Sequence, residues 1–219
     1  MDEINKKLVQ KKEAWAEAKR GLTEEGVAPD SRVRNNRLPP GQHTTNGWPV
    51  LDLGVHPSVS LKDWTLTVGG PIERPLVWSW EEFLSQPRVR TVSDFHCVTS
   101  WSTFDNPWEG VSFRHLISIV RPFPTARFVL FSSYDSYTVN LPLDACDDDD
   151  VLMVDTWKGL PLTKEHGGPV RVIVPKRYAW KGAKWLKTIT FAEEDKPGFW
   201  EVRGYSNTAL PWEEDRYGY

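Results

Sequence analysis

Apolar and polar residues alternate over 64–69 (WTLTVG), and the run ends in Gly69-Gly70-Pro71, which predicts a strand followed by a turn. Residues 185–191 (WLKTITF) repeat that alternation, and 127–133 (RFVLFSS) with 137–141 (YTVNL) predict a hairpin. Residues 88–95 (RVRTVSDF) read as a strand running into Cys97, and 170–175 (VRVIVP) as a continuous apolar strand buried on both faces. Helical signals are shorter. Residues 2–20 are rich in helix formers, with Ile4, Leu8, Lys12 and Trp15 at helical spacing and Gly21 at the C-cap position, which predicts an amphipathic helix or a frayed arm. Ser79 is an N-cap candidate with Glu81 and Glu82 in the first turn and Pro87 as the stop; Ser112 begins a second helix through Val120, stopped by Pro122. At least six strands against three or four short helices, without regular βαβ alternation, give a mixed α+β class rich in β structure.

Residues 29–57 oppose both periodicities, because Arg, Asn, Gly and Pro dominate them. A loop longer than about 12–15 residues is usually functional or unstructured, so this segment is a place to look for binding. A length of 219 residues fits one large domain with an arm, divided here as an arm at 1–28 and a domain at 29–219. Hydrophobic residues at 39% and charged residues at 26% are those of an ordinary globular protein. No run approaches the ~18 apolar residues of a membrane helix, and the first twenty positions are charged throughout, so membrane insertion and export are not expected and the cytoplasm is. The two cysteines, Cys97 and Cys146, are expected as thiols. A net charge of −3 gives no general attraction to nucleic acid. Twelve tryptophans suit wide gaps between irregular segments and the walls of apolar sites.

Local charge says more than net charge. From Arg171 to Lys187 six basic residues (Arg171, Lys176, Arg177, Lys181, Lys184, Lys187) stand without an acidic one, interleaved with Tyr178, Trp180 and Trp185. This composition fits a solvated basic face, a base-stacking surface, or a site for a phosphorylated cofactor, where cations pair with phosphate oxygens and Gly182 permits close approach of the backbone. Six aspartates between Asp144 and Asp155 lack the spacing of a calcium loop and read as a solvated turn. Cys97, in DFHCVTSWS at a strand end, could be a nucleophile, a redox thiol or a soft metal ligand. Neighbouring His96 would point to the opposite face, leaving His43, His56, His115 or His166 as bases; a zinc site lacks further ligands at short spacing. Cys146 fits a small buried hydrophobe.

DFHCVTSWS, WEGVSFRHLI, LPLTKEHGGPVRVIVPKRYAWKGAKW and PGFWEVRGYSNTALPWEEDRY, in this order, resemble the molybdopterin-binding domain of the sulfite oxidase superfamily. The resemblance is strongest to its small, cytoplasmic, single-domain branch and covers roughly residues 37–217. It implies a β-rich α+β fold with mixed sheets and short peripheral helices, holding one molybdopterin with molybdenum. By this likeness Cys97 is the protein's ligand to the metal. His166 and Arg171 hold the pterin and its phosphate, Gly182 and Lys184 complete the anion site, Ser133 hydrogen-bonds the pterin, and Asn46 contributes from the preceding loop. Arg177 is a candidate to approach the metal. Tyr178, Trp180 and Trp101 are candidates for the pocket wall, with plain core packing as the alternative. The resemblance implies an oxidoreductase that transfers oxygen to or from a small substrate, a sulfite-like oxyanion, a sulfoxide or an N-oxide. An electron-transfer partner is implied, and neither nucleic acid nor membrane. The alternatives are a non-enzymatic anion- or cofactor-binding module on the same fold and a thiol redox protein using Cys97 directly.

Overall fold

The computed structural model describes residues 6–19 and 37–218, with side chains from 15 to 19 excepted. In chain order the helices are α1 (Lys6–Lys19), α2 (Trp80–Leu84), α3 (Phe113–Val120) and α4 (Leu143–Cys146). The strands are β1 (His43–Thr44), β2 (Thr65–Gly69), β3 (Leu76–Ser79), β4 (Arg88–His96), β5 (Trp101–Ser112), β6 (Phe128–Ser133), β7 (Thr138–Pro142), β8 (Leu152–Trp157), β9 (Leu160–Pro161), β10 (Arg171–Ile173) and β11 (Leu186–Ala192). They form two mixed sheets. One runs β1-β5-β8-β10, with β4 also paired to β5 and β9 to β8; the other runs β3-β2-β11-β6-β7. Only β1–β5 and β2–β11 pair in parallel among these neighbours.

The alternating strands bury one face each. β2 shows Leu66 and Val68 to the core between exposed threonines, and β11 buries Leu186, Ile189 and Phe191. β10 is buried at all three positions, as its unbroken apolar pattern predicts, and its Arg171 is a charge inside that run. Phe113, at the start of α3, meets Phe131 of β6 edge-on at 5.7 Å, so the helix ties the two sheets into one core. Ser79 caps α2 in a full capping box with Glu82. Ser112 precedes α3 in extended conformation but makes no side-chain cap bond, and Arg121 ends that helix in the left-handed region.

The segment 37–57 is an ordered loop that contributes β1, and α1 covers most of the helix predicted for 2–20. Ile4, Gly21, the side chain of Trp15 and residues 20–36 lie outside the described residues. β5 and β8 are absent from the sequence reading. Asn106-Pro107 and Gly110 look like breakers in β5, yet Gly110 is needed because β8 passes so close that a Cβ would lie 2.1 Å from the Met153 carbonyl oxygen. The acidic run is a surface turn neutralised within the chain: Arg114 pairs with Asp147 and Asp149, and Lys176 with Asp148 and Asp150.

Candidate functional site

The β4–β5 turn of one sheet and the β6–β7 turn of the other open onto a common cleft, partly open to solvent. Cys97, Thr99 and Trp101 line it from the first turn, Asp135 and Tyr137 from the second, and Arg171 from β10. The segment between β10 and β11 adds Trp180, Gly182, Lys184 and Trp185; the 48–53 loop adds Trp48 and Asp52, and α1 adds Lys12.

Cys97 sits at the first position of a tight turn. Its N–H donates to Trp101 O at 2.9 Å, and the Ser100 N–H donates to Cys97 O at 3.1 Å, with Ser100 at φ +70°. Outside groups fix this turn. Gln42 Nε2 donates to Cys97 O at 3.0 Å, while Arg216 Nη1 donates to Val98 O at 2.8 Å and Ser100 Oγ at 2.7 Å. His96 points away from the cleft, with Nδ1 2.9 Å from Ser102 Oγ and its ring against the edge of Trp212. The strand alternation thus separates the imidazole from the thiol. The Cys97 Sγ lies 3.2 Å from Thr99 Oγ1; burial pushes the thiol pKa up, against the Thr99 hydrogen bonds and the charges of Lys12 and Arg216.

Arg171 is the buried cation of the cleft. Nη1 donates to His166 O at 3.1 Å, its guanidinium lies 5.1 Å from the Trp48 ring centroid and 5.4 Å from that of Phe95, and its buried Nε has no hydrogen-bond partner among the described residues. Burial lowers its pKa to about 9, so it stays charged at neutral pH. His166 stacks on Trp48 and, being desolvated beside Arg171 and Lys184, has a pKa lowered to about 4. Lys184 donates to Glu165 O at 2.8 Å, and its ammonium is pushed down to about 7, first by burial and then by Arg171. Asp52 stays below the ordinary carboxylate range: burial raises it, but the Gly54 N–H, His56 and Lys184 outweigh that. Burial raises the Asp135 carboxyl.

The positions expected from sequence divide. Cys97, His166, Arg171, Gly182, Lys184, Trp101 and Trp180 line one cleft. Of the four histidines considered as bases, His166 alone lines it. Asn46 is exposed and two residues short of Trp48, the part of that loop that does enter. Ser133 ends β6 behind the lining residues, with a buried Oγ lacking a partner among the described residues. Tyr178 is fully buried with its ring 5.4 Å from Trp180, backing the wall instead of forming it, and Arg177 stays outside the lining. Gly182 is required by packing, since a Cβ there would lie 2.4 Å from Val172 O. Lys12, Asp52 and Asp135 line the cleft without a sequence signal. Isolated polar residues in a charged helix and in loops carry no motif, whereas Trp48, in a tryptophan-proline pair of the suspect loop, offered a signal.

A family profile described as "Oxidoreductase molybdopterin binding domain" matches residues 53–200. The chain belongs to this family. It is 38% identical over 185 residues, 84% of this chain and 93% of the relative, to the uncharacterized oxidoreductase YuiH of Bacillus subtilis strain 168. It is 29% identical over 157 residues to the protein-methionine-sulfoxide reductase catalytic subunit MsrP of Campylobacter jejuni, covering 64% of this chain and 52% of that one. The fold matches the crystal structure of the sulfane dehydrogenase SoxCD from Paracoccus pantotrophus with a TM-score of 0.59 at 23% identity, over 64% of this chain and 40% of that one. The chain is thus an oxidoreductase of the sulfite oxidase type, with molybdenum-bearing molybdopterin as its cofactor. The cleft fits that group. A thiol is the one soft donor in the lining, and a buried guanidinium with an unpartnered N–H and a desolvated ammonium stand ready for an anion.

Proposed function

We propose that the protein transfers an oxygen atom to or from a small substrate, with a sulfite-like oxyanion, a sulfoxide or an N-oxide as the class. The observation that carries this is the placement of Cys97 and the unpartnered Nε of Arg171 on the walls of one cleft. In the oxidising direction substrate and water give the oxygenated product, two protons and two electrons; the reducing direction is the reverse. The electrons pass to or from a separate redox carrier.

Molybdopterin, when bound, supplies the metal's two-electron redox chemistry. Cys97 would be the protein's ligand: its thiol must lose a proton to bind, and the Lys12 and Arg216 charges favour the thiolate that burial opposes. Arg171 and Lys184 would hold the phosphate, His166 the pterin. Neutral at physiological pH, His166 can serve as donor or acceptor to a heterocycle. The indoles of Trp48, Trp101, Trp180, Trp185 and Trp200 give the cleft largely apolar walls, which strengthen polar contacts made against them. Ser133 and Asn46 would reach the pterin only at the edge of this arrangement. The division into a 1–28 arm and a 29–219 domain belongs to the same reading. A cytoplasmic location belongs to the same reading, in keeping with two cysteines that are free and buried; among the described residues no helix is long and apolar enough to cross a membrane.

The test is to purify the protein from cells that make molybdopterin, measure molybdenum and pterin per chain, and screen sulfite, sulfoxides and N-oxides. Near-stoichiometric metal, lost in Cys97→Ser with the fold retained, is expected. Full metal and activity in Cys97→Ser would sink the ligand assignment.

A further inference from the structure

Helix α1 lies outside the segment matched by the family profile, yet its Lys12 lines the cleft. Val9, Lys12 and Glu13 fall on one helical face. Val9 is buried in the core cluster, Glu13 Oε1 lies 2.8 Å from Arg203 Nε, and Lys12 enters the cleft between them. Two anchors therefore seat the helix without Lys12. The Lys12 ammonium donates to the backbone oxygen of Asp52 at 2.7 Å and sits 5.6 Å from the Trp200 ring centroid. Among the described residues no carboxylate oxygen lies within ion-pairing distance of it. An ammonium has three donors, and the hydrogen bond to Asp52 uses one. Burial lowers its pKa, which means its charge is held at a cost that a helix clamp would not require.

The neighbours set the sign of the ligand. Lys12, Arg171 and Lys184 bring three cations to the lining, against Asp52, already engaged by Gly54 and His56, and Asp135, whose carboxyl burial pushes toward the neutral form. The Lys12 charge also reaches Cys97.

We propose that Lys12 is an anion-binding cation, supplied by α1, that pairs with an oxyanion entering the cleft that Cys97 lines. The inference rests on the reading of the cleft as the cofactor and substrate site. The oxyanion has two sources, an oxyanionic substrate or the phosphate of the cofactor, and their chemistry at an ammonium is the same.

The experiment compares wild-type protein, Lys12→Met, Lys12→Arg and Glu13→Gln, each purified from cells that make molybdopterin. Molybdenum and pterin per chain are measured first, then sulfate binding by calorimetry at constant ionic strength. Full cofactor in Lys12→Met with sulfate affinity weakened about tenfold, restored within a few-fold by Lys12→Arg, assigns Lys12 to a substrate-side oxyanion. Cofactor content lowered several-fold in Lys12→Met and restored in Lys12→Arg assigns it to the phosphate. Glu13→Gln loosens the same helix and keeps the cation, so an equal loss in that variant would show a merely structural role and overturn the proposal. Unchanged cofactor content with unchanged or absent sulfate binding overturns it too. If wild-type protein carries neither molybdenum nor pterin, the cofactor reading itself fails, and sulfate binding to the empty protein still decides whether Lys12 pairs with an oxyanion.

Discussion

The imidazole of His166 lies flat on the indole of Trp48, with ring centroids 4.1 Å and planes 6° apart. Trp48 also meets Phe95, Trp108 and Trp157 edge-on and underlies the Arg171 guanidinium, so one indole from a loop seats two groups that line the cleft. Trp48→Ala is expected to cost about 3–5 kcal/mol in denaturant unfolding and to lower pterin content. A loss of stability with full pterin content would limit Trp48 to packing.

Arg216 holds the Cys97 turn from the far end of the chain through Val98 O and Ser100 Oγ, and ties it to the 37–57 loop through Gly41 O. Lysine keeps the charge but lacks the fork. Arg216→Lys is expected to lose about 1.5–3 kcal/mol of stability and to speed alkylation of Cys97 in cofactor-free protein. An unchanged alkylation rate would mean that Gln42 alone fixes the turn.

Lys184 gives the fold a pH dependence. Its pKa drops from 10.5 in the unfolded chain to about 7 in the folded one, so between these values the unfolded chain binds more protons and stability rises with pH. Cofactor-free protein should gain up to about 5 kcal/mol across that window, less what solvent screening removes. Lys184→Met should flatten the profile of unfolding free energy against pH; an identical slope in the variant would place the titration elsewhere.

The ion pair of Lys181 with Glu201 is buried at both ends, with Nζ 2.6 Å from Oε1, and Nζ also donates to Asn140 O at 3.1 Å. Breaking it strands a charge. Glu201→Gln is expected to destabilise by about 3–5 kcal/mol, and Lys181→Met combined with Glu201→Leu by clearly less, since the double change leaves no unpaired charge. Additive losses in the double variant would contradict this.

Much of the framework is legible in the pattern of residues. β2, β11 and the β6–β7 hairpin follow from alternation, α2 from Ser79 and Glu82, and β10 from an unbroken apolar run. Those signals are local, confined to a few neighbouring residues. β5 was hidden because its Gly110 answers to β8, more than forty positions away, and not to its own neighbours. Gly182 lines the cleft, and the fold adds a reason for glycine that the sequence does not show: a Cβ there would lie 2.4 Å from the Val172 carbonyl oxygen.

The sequence by itself determined a β-rich domain with one soft thiol at a strand end and six cations along one stretch, because strand alternation and residue chemistry are properties of short segments. Which cations serve the cleft was decided by tertiary structure. Arg171 and Lys184 face it, Lys181 turns to Glu201, Lys176 turns to Asp148 and Asp150, and Lys12 arrives from a helix at the other end of the chain. A charge can be buried only where the fold provides a partner for it, and those partners are set by sheet pairing and helix docking across distances no local pattern spans.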